Sequence, residues 1–244
     1  MQEGKEPKVF VVIPTYNERE NIEELCGRLL QSPLNLHLVV VDDGSPDGTG
    51  EWVEERSREE PRLHALRRPG KLGFASAVIA GFRYALEHGA DVVLEMDADL
   101  SHDPAAIPQF LEKLRNADVV IGSRYIPGGG TRNWGLFRRW LSRGANQFAR
   151  MLLGLKVRDC TSGYRCYRRQ VLESIDFDRI HTEGYAFLIQ MAFLCQRKGY
   201  RIEQVPILFV DRRAGRSKLS RRIIGEALGL VLRLAWERWR RYAT

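Results

Sequence analysis

Cysteine is scarce in these 244 residues: Cys26, Cys160, Cys166 and Cys195 are the four present, and none forms a C-x-x-C pair. A disulfide scaffold is therefore a poor fit, and so is a zinc site between Cys160 and Cys166, which have no histidine cluster beside them. No signal-peptide pattern is seen, so reduced thiols in a cytosolic setting are expected. Long apolar runs are missing as well. Near the C-terminus the longest uncharged stretch, Ala227–Leu232, falls far short of the ~20 residues that span a bilayer, which favours a peripheral over an integral protein. The chain also lacks G-x-G-x-x-G, which argues against a nicotinamide dehydrogenase, and it has no serine in a nucleophile-elbow context. Internal repeats and low-complexity tracts are absent.

What is present suits a globular fold: 44% of residues are hydrophobic and 28% charged, enough to bury a substantial core. The net charge of +7 is unevenly placed, because residues 212–244 carry ten Lys/Arg against Glu226 and Glu237. A second basic block, 131–150, holds five arginines and no acid, interleaved with Trp134, Phe137, Trp140 and Phe148. Basic and aromatic residues together suit anionic lipid or nucleic acid. Residues 220–242 read as an amphipathic helix, with Ile224, Leu228, Val231, Ala235 and Trp239 near one face. The expected division is one domain over 1–219, containing the 131–150 segment as its membrane-facing part, and a basic helix over 220–244.

Along the chain, Lys8–Ile13 reads as a strand and Glu18–Leu30 as a helix. Leu36–Val41 (strand), Glu51–Glu60 (helix), Ala75–His88 (helix), Asp91–Met96 (strand), Ala105–Arg115 (helix) and Asp118–Ile121 (strand) continue the alternation. This is the grammar of an α/β protein with a doubly wound, mostly parallel sheet covered on both faces. Parallel strands deliver their carboxyl ends to one edge, where open α/β sheets bind ligands. The segments 14–18, 42–45, 97–99 and 122–125 each follow a strand, so all four are expected to line one crevice.

Asp97-Ala98-Asp99 closes a hydrophobic strand, and two hard oxygen ligands there suit Mg²⁺ or Mn²⁺. Spacing alone is weak evidence: Asp176-Phe177-Asp178 repeats it, follows no apolar strand, and reads as a solvated loop. Asp43, in Val41-Asp42-Asp43-Gly44-Ser45, places a carboxylate where it can accept hydrogen bonds from a base or ribose; the alternative is an Asx turn. Arg212–Lys218 reads equally as a phosphate-binding loop or a solvated basic one. His102 reads as a polar residue at a helix start rather than as a metal ligand or an acid/base group.

Taken together, Pro14–Glu18, Val41–Thr49, Met96–His102, Gly122–Tyr125 and Gly215–Lys218 resemble the dolichol-phosphate mannose synthases, polyprenyl-phosphate glycosyltransferases of the inverting GT-A family 2. The match runs from about residue 8 to 220. The resemblance implies a GT-A fold in which Pro14, Tyr16, Glu18, Val41 and Asp43 contact the nucleoside of GDP-mannose. It implies that Asp97 and Asp99 hold the metal and sugar-diphosphate with Ala98 against the nucleotide, and that Lys71 lies near the donor. Arg124, Arg212 and Lys218 would bind phosphate, with Ser217 shaping the loop, and the catalytic burden would fall on Asp97, Asp99 and Arg124. Ser101 stands where some relatives have glutamine, as a possible third metal ligand, and Gln190 where many have an acid.

The implied partners are GDP-mannose, a dolichyl or other polyprenyl phosphate, a membrane surface and small membrane-embedded subunits. A sister enzyme using UDP-glucose is the first rival reading. A nucleic-acid-binding protein is the second; it accounts for the basic aromatics but leaves the acidic crevice unexplained, so no nucleic-acid partner is expected.

Overall fold

The computed structural model describes residues 7–211 and 221–242, the side chains of 221–224 and 241–242 excepted. Its core is a seven-stranded sheet in the order β3 (Leu63–Arg67), β2 (Leu36–Asp42), β1 (Val9–Thr15), β4 (Val92–Glu95), β7 (Arg165–Arg168), β5 (Val119–Ser123), β8 (Ile202–Pro206). β1 (Val9–Thr15), β2 (Leu36–Asp42), β3 (Leu63–Arg67) and β4 (Val92–Glu95) pair in parallel. Their continuous runs of β-branched residues suit strands buried on both faces. Phe10 and Val12 point into one apolar layer, Val9, Val11 and Ile13 into the other.

Helices α1 (Arg19–Leu30), α2 (Thr49–Ser57), α3 (Phe74–Glu87) and α4 (Ile107–Leu114) connect these strands with β5 (Val119–Ser123). Gly81 lets α3 lie directly on β1, since a Cβ there would overlap the Val12 side chain.

The expected alternation holds, with three differences. β3 was not anticipated, because Leu63–Arg67 is short and contains no β-branched residue. The helix expected from Ala105 opens instead as a 3₁₀ turn, Pro104–Ala106, capped by Asp103, whose carboxylate accepts the Ala105 N–H at 3.0 Å. The sheet is also not purely parallel: β7 (Arg165–Arg168) runs antiparallel between β4 and β5, reached only after a long excursion.

That excursion contains β6 (Gly130–Arg132) and α5 (Leu136–Leu153). After β7 come α6 (Arg169–Glu173), α7 (Gly184–Arg197), β8 (Ile202–Pro206) and β9 (Leu208–Val210). β8 completes the sheet beside β5, while β6 and β9 form a separate parallel ribbon. The final helix, α8 (Arg221–Tyr242), packs on α5 and α7, and Leu230, Val231 and Leu234 join the core. The buried face is thus rotated from the expected one, for Leu228 and Trp239 are exposed. Among the described residues no helix is long and apolar enough to cross a membrane.

β4 and β7 meet at an unusual pair. Glu95 lies opposite Arg165, both are sealed from solvent, and neither Glu95 oxygen has a hydrogen-bond partner among the described residues. Burial, opposed by Arg165 and assisted by Asp97, pushes the Glu95 carboxyl up to about 8. The folded state therefore holds a proton that the unfolded chain releases near the ordinary carboxyl pKa of about 4.3, and stability falls as pH rises between the two. Glu95→Gln should raise the melting temperature most at pH 8, with the gain vanishing near pH 4. A gain independent of pH in thermal melts would refute this assignment.

Candidate active site

The carboxyl ends of β1, β2, β4 and β5 do share one edge. Pro14, Tyr16, Glu18, Asp43, Lys71, Asp97, Ala98, Asp99 and Arg124 line a single crevice of about 340 Å³. Val41 is the exception on the donor side, its side chain fully buried in the core beneath α3. Arg212, Ser217 and Lys218 lie outside the described residues.

Beyond β4 the chain turns sharply. Leu100 adopts φ 60°, a left-handed conformation that costs a branched residue about 1–2 kcal/mol. The turn is fixed from within: Asp99 Oδ1 accepts the Ser101 N–H at 3.1 Å, and His102 Nδ1 accepts the Asp97 N–H at 3.1 Å. A backbone N–H can only donate, so the other His102 nitrogen, Nε2, carries the proton. Burial, with help from Arg124 and against Asp99, lowers the His102 pKa to about 4. The ring is therefore neutral near pH 7, stacked on Tyr164 and edge-on to Phe209, and it serves as a brace for the turn.

Asp97 and Asp99 supply hard oxygens, and the Ser101 hydroxyl, 2% exposed, has no hydrogen-bond partner among the described residues. Ser101 lines an adjoining cavity that shares Asp99 with the crevice. No cluster of three or more His, Cys, Asp or Glu that could hold a metal occurs among the described residues. Two carboxylates and an orphaned hydroxyl fit a small divalent ion that takes its remaining ligands from water and phosphate.

Asp43, in the crevice wall, also anchors a neighbouring loop. Its Oδ2 accepts the Leu72 and Gly73 N–H groups at 3.1 and 3.0 Å, and Oδ1 pairs with Arg68 at 2.6 Å. These bonds hold the 70–73 loop, so that Lys71 sits over the Tyr16 ring at 4.0 Å. Gly44 makes the approach possible: at φ 69°, a Cβ there would fall 2.8 Å from the Gly70 Cα. Glu183 joins the same wall, accepting the Ala75 N–H at the start of α3 at 3.0 Å.

Arg124 is the most constrained side chain of the site. Its Nε and Nη2 each bond Asp159 at 2.7 Å, its backbone N–H bonds the same carboxylate at 3.0 Å, and Nη2 also reaches Thr161 Oγ1 at 2.9 Å. Burial alone would raise the Asp159 pKa, but the Arg124 charge and hydrogen bonds hold it below the ordinary carboxylate range. Nη1 has no hydrogen-bond partner among the described residues, and the side chain lines the crevice. Arg138, from α5, packs over Trp134 at 4.1 Å and bonds Asp211 at 2.8 Å. Arg124, Trp134 and Arg138 also line an apolar groove bounded by Leu141, Phe148, Ile189, Leu228 and Val231, so crevice and groove meet at two guanidinium groups.

Asp159, Thr161 and Glu183 carry no readable signal, because no apolar strand announces the loops that hold them. All four cysteines are free and buried, in line with the reduced state expected.

This sheet, with its acidic turn and arginines gathered at one edge, defines a glycosyltransferase of the GT-A fold. The chain belongs to glycosyl transferase family 2, whose profile matches residues 10–176. It is 48% identical over 226 residues to an undecaprenyl-phosphate mannosyltransferase of Micrococcus luteus, covering 93% of each chain. It is 44% identical to a polyprenol monophosphomannose synthase of Mycolicibacterium smegmatis, covering 91% of this chain and 84% of the relative. Among solved structures, glucosyl-3-phosphoglycerate synthase from Mycobacterium tuberculosis, in complex with Mn²⁺, UDP-glucose and phosphoglyceric acid, shares the fold. The TM-score is 0.66 at 20% identity, over 94% of this chain and 80% of that one.

Asp159→Asn should leave Arg124 as an unpaired buried charge and lower stability by about 3–5 kcal/mol in urea unfolding. Adding Arg124→Gln should recover part of the stability. An unchanged urea midpoint for Asp159→Asn would show that the pair does not hold the site.

Proposed function

We propose that the protein transfers mannose from GDP-mannose to dolichyl or another polyprenyl phosphate, with inversion, at the cytosolic face of a membrane. The observation that carries the reading is the junction of crevice and apolar groove at Arg124 and Arg138. A prenyl chain laid in the groove brings its phosphate to these two guanidinium groups, beside Asp97 and Asp99. The names of the two bacterial relatives agree with this acceptor class.

An acceptor phosphate is ionised near neutral pH and needs no protein base. Its oxygen forms the new bond to the anomeric carbon as the bond from that carbon to the donor β-phosphate breaks, and GDP leaves with the electron pair. Asp159, committed to Arg124, is not available to take a proton. The chain's work is alignment and charge stabilisation. Asp97 and Asp99, with Ser101 at their side, would hold Mg²⁺ or Mn²⁺, which when bound neutralises the departing diphosphate. Lys71 and Tyr16 close the donor side, and Arg124 Nη1 meets the acceptor phosphate. The proposed phosphate contacts of Arg212, Ser217 and Lys218 belong to the same reading.

Membrane contact is supported by exposed apolar residues on two packed helices: Phe137, Trp140 and Met151 on α5, and Leu232, Trp236 and Trp239 on α8. Arginines flank both rows, an arrangement suited to anionic headgroups.

The test is purified protein with a polyprenyl phosphate in detergent, offered GDP-mannose or UDP-glucose with Mg²⁺, Mn²⁺ or a chelator. Mannosyl lipid should form from GDP-mannose only with metal, and Asp97→Asn should lower the rate by about 10²-fold or more. No lipid product from GDP-mannose would overturn the reading.

A further inference from the structure

A second cavity, of about 790 Å³, lies between α7, α8 and the segment 174–181. It shares no lining residue with the crevice or with the apolar groove. In its wall stands Gln190, 9% exposed, whose Oε1 accepts the Thr182 hydroxyl at 2.7 Å. The Gln190 amide N–H groups have no hydrogen-bond partner among the described residues. Around it stand Arg179, Arg197, Lys198 and Arg233, against the acids Asp176 and Glu237. Arg179 is paired with Asp176 at 2.9 Å, and Arg197 reaches Glu237 only at 3.9 Å. The side chains of Lys198 and Arg233, which also line the cavity, have neither an ion-pair nor a hydrogen-bond partner among the described residues.

An amide donor in the wall beneath unpaired cations is a donor-rich set that favours an oxyanion. We infer that this cavity is a second anion site, taking a phosphate ester, distinct from the site of sugar transfer. Its place on α8 favours a phospholipid headgroup as the source. Arg233 and Glu237 form the column next to the exposed Leu232 and Trp236, so acyl chains along the apolar row bring a headgroup phosphate to the cavity's rim.

The test uses the full chain with two probes: phosphatidylcholine vesicles with and without phosphatidylglycerol, read by co-sedimentation, and soluble glycerol 1-phosphate, read by calorimetry. Lys198→Gln with Arg233→Gln should weaken binding to the anionic vesicles by about fivefold per cation removed, and leave binding to neutral vesicles unchanged. Gln190→Leu changes no charge, so diffuse attraction to the bilayer would not respond to it. A built site would, with binding to anionic vesicles weakened severalfold while mannosyl transfer in detergent persists. If Gln190→Leu does not fold, loss of the saturable glycerol 1-phosphate signal in the double variant serves in its place. Binding of the vesicles alone assigns the bilayer as the source, and binding of glycerol 1-phosphate assigns a soluble ester; either supports the site. Wild-type binding of both probes by a folded Gln190→Leu protein would overturn the proposal.

Discussion

A guanidinium sealed inside the protein, that of Arg165, fixes the floor on which the site is built. It donates to the carbonyls of Cys160, Ser162 and Leu188 at 2.7–2.8 Å, tying the loop before β7 to helix α7. A charge without water is tolerable only when such dipoles surround it. The bonds have a direct consequence for chemistry, because the loop that Arg165 pins carries Asp159 and Thr161, and these hold Arg124. The position of one reactive-site guanidinium is thus inherited from another that no ligand touches. Asn146 adds a third anchor, accepting the Cys160 N–H at 2.8 Å and donating to Thr161 at 2.9 Å, so α5 is bound to the same loop.

The positive charges fall into two physical classes. Arg124 and Arg165 are buried and held by several hydrogen bonds each, which suits groups that must present a donor in a fixed direction. The arginines along α5 and α8 stand mostly at the surface beside exposed aromatic rings, where long side chains adapt to a fluid partner. The net charge of the chain describes the second class and says nothing of the first.

Much of this was legible in the sequence. Apolar runs alternating with helical spacing gave the parallel strands and hence the crevice edge, and the segments after β1, β2, β4 and β5 meet there. The unread parts share a cause. The antiparallel β7 is Arg165-Cys166-Tyr167-Arg168, whose flanking arginines look like surface residues, and only three-dimensional pairing shows one of them buried. The loop contacts of Asp43 went unread for a similar reason: its partners Arg68, Leu72 and Gly73 lie 25 to 30 residues away in a loop with no periodic signal. The face of α8 that meets the core was rotated because both of its apolar rows have helical spacing, and pattern alone does not say which row faces inward.

The bend at Leu100 bears on how fast the site can respond. Its left-handed turn is braced by hydrogen bonds within the chain, from Ser101 to Asp99 and from Asp97 to His102, so protein groups rather than a metal or diphosphate set the arrangement of the two carboxylates. Capture on this side of the crevice then depends on encounter and dehydration, and slow reorganisation of the turn drops out of the rate.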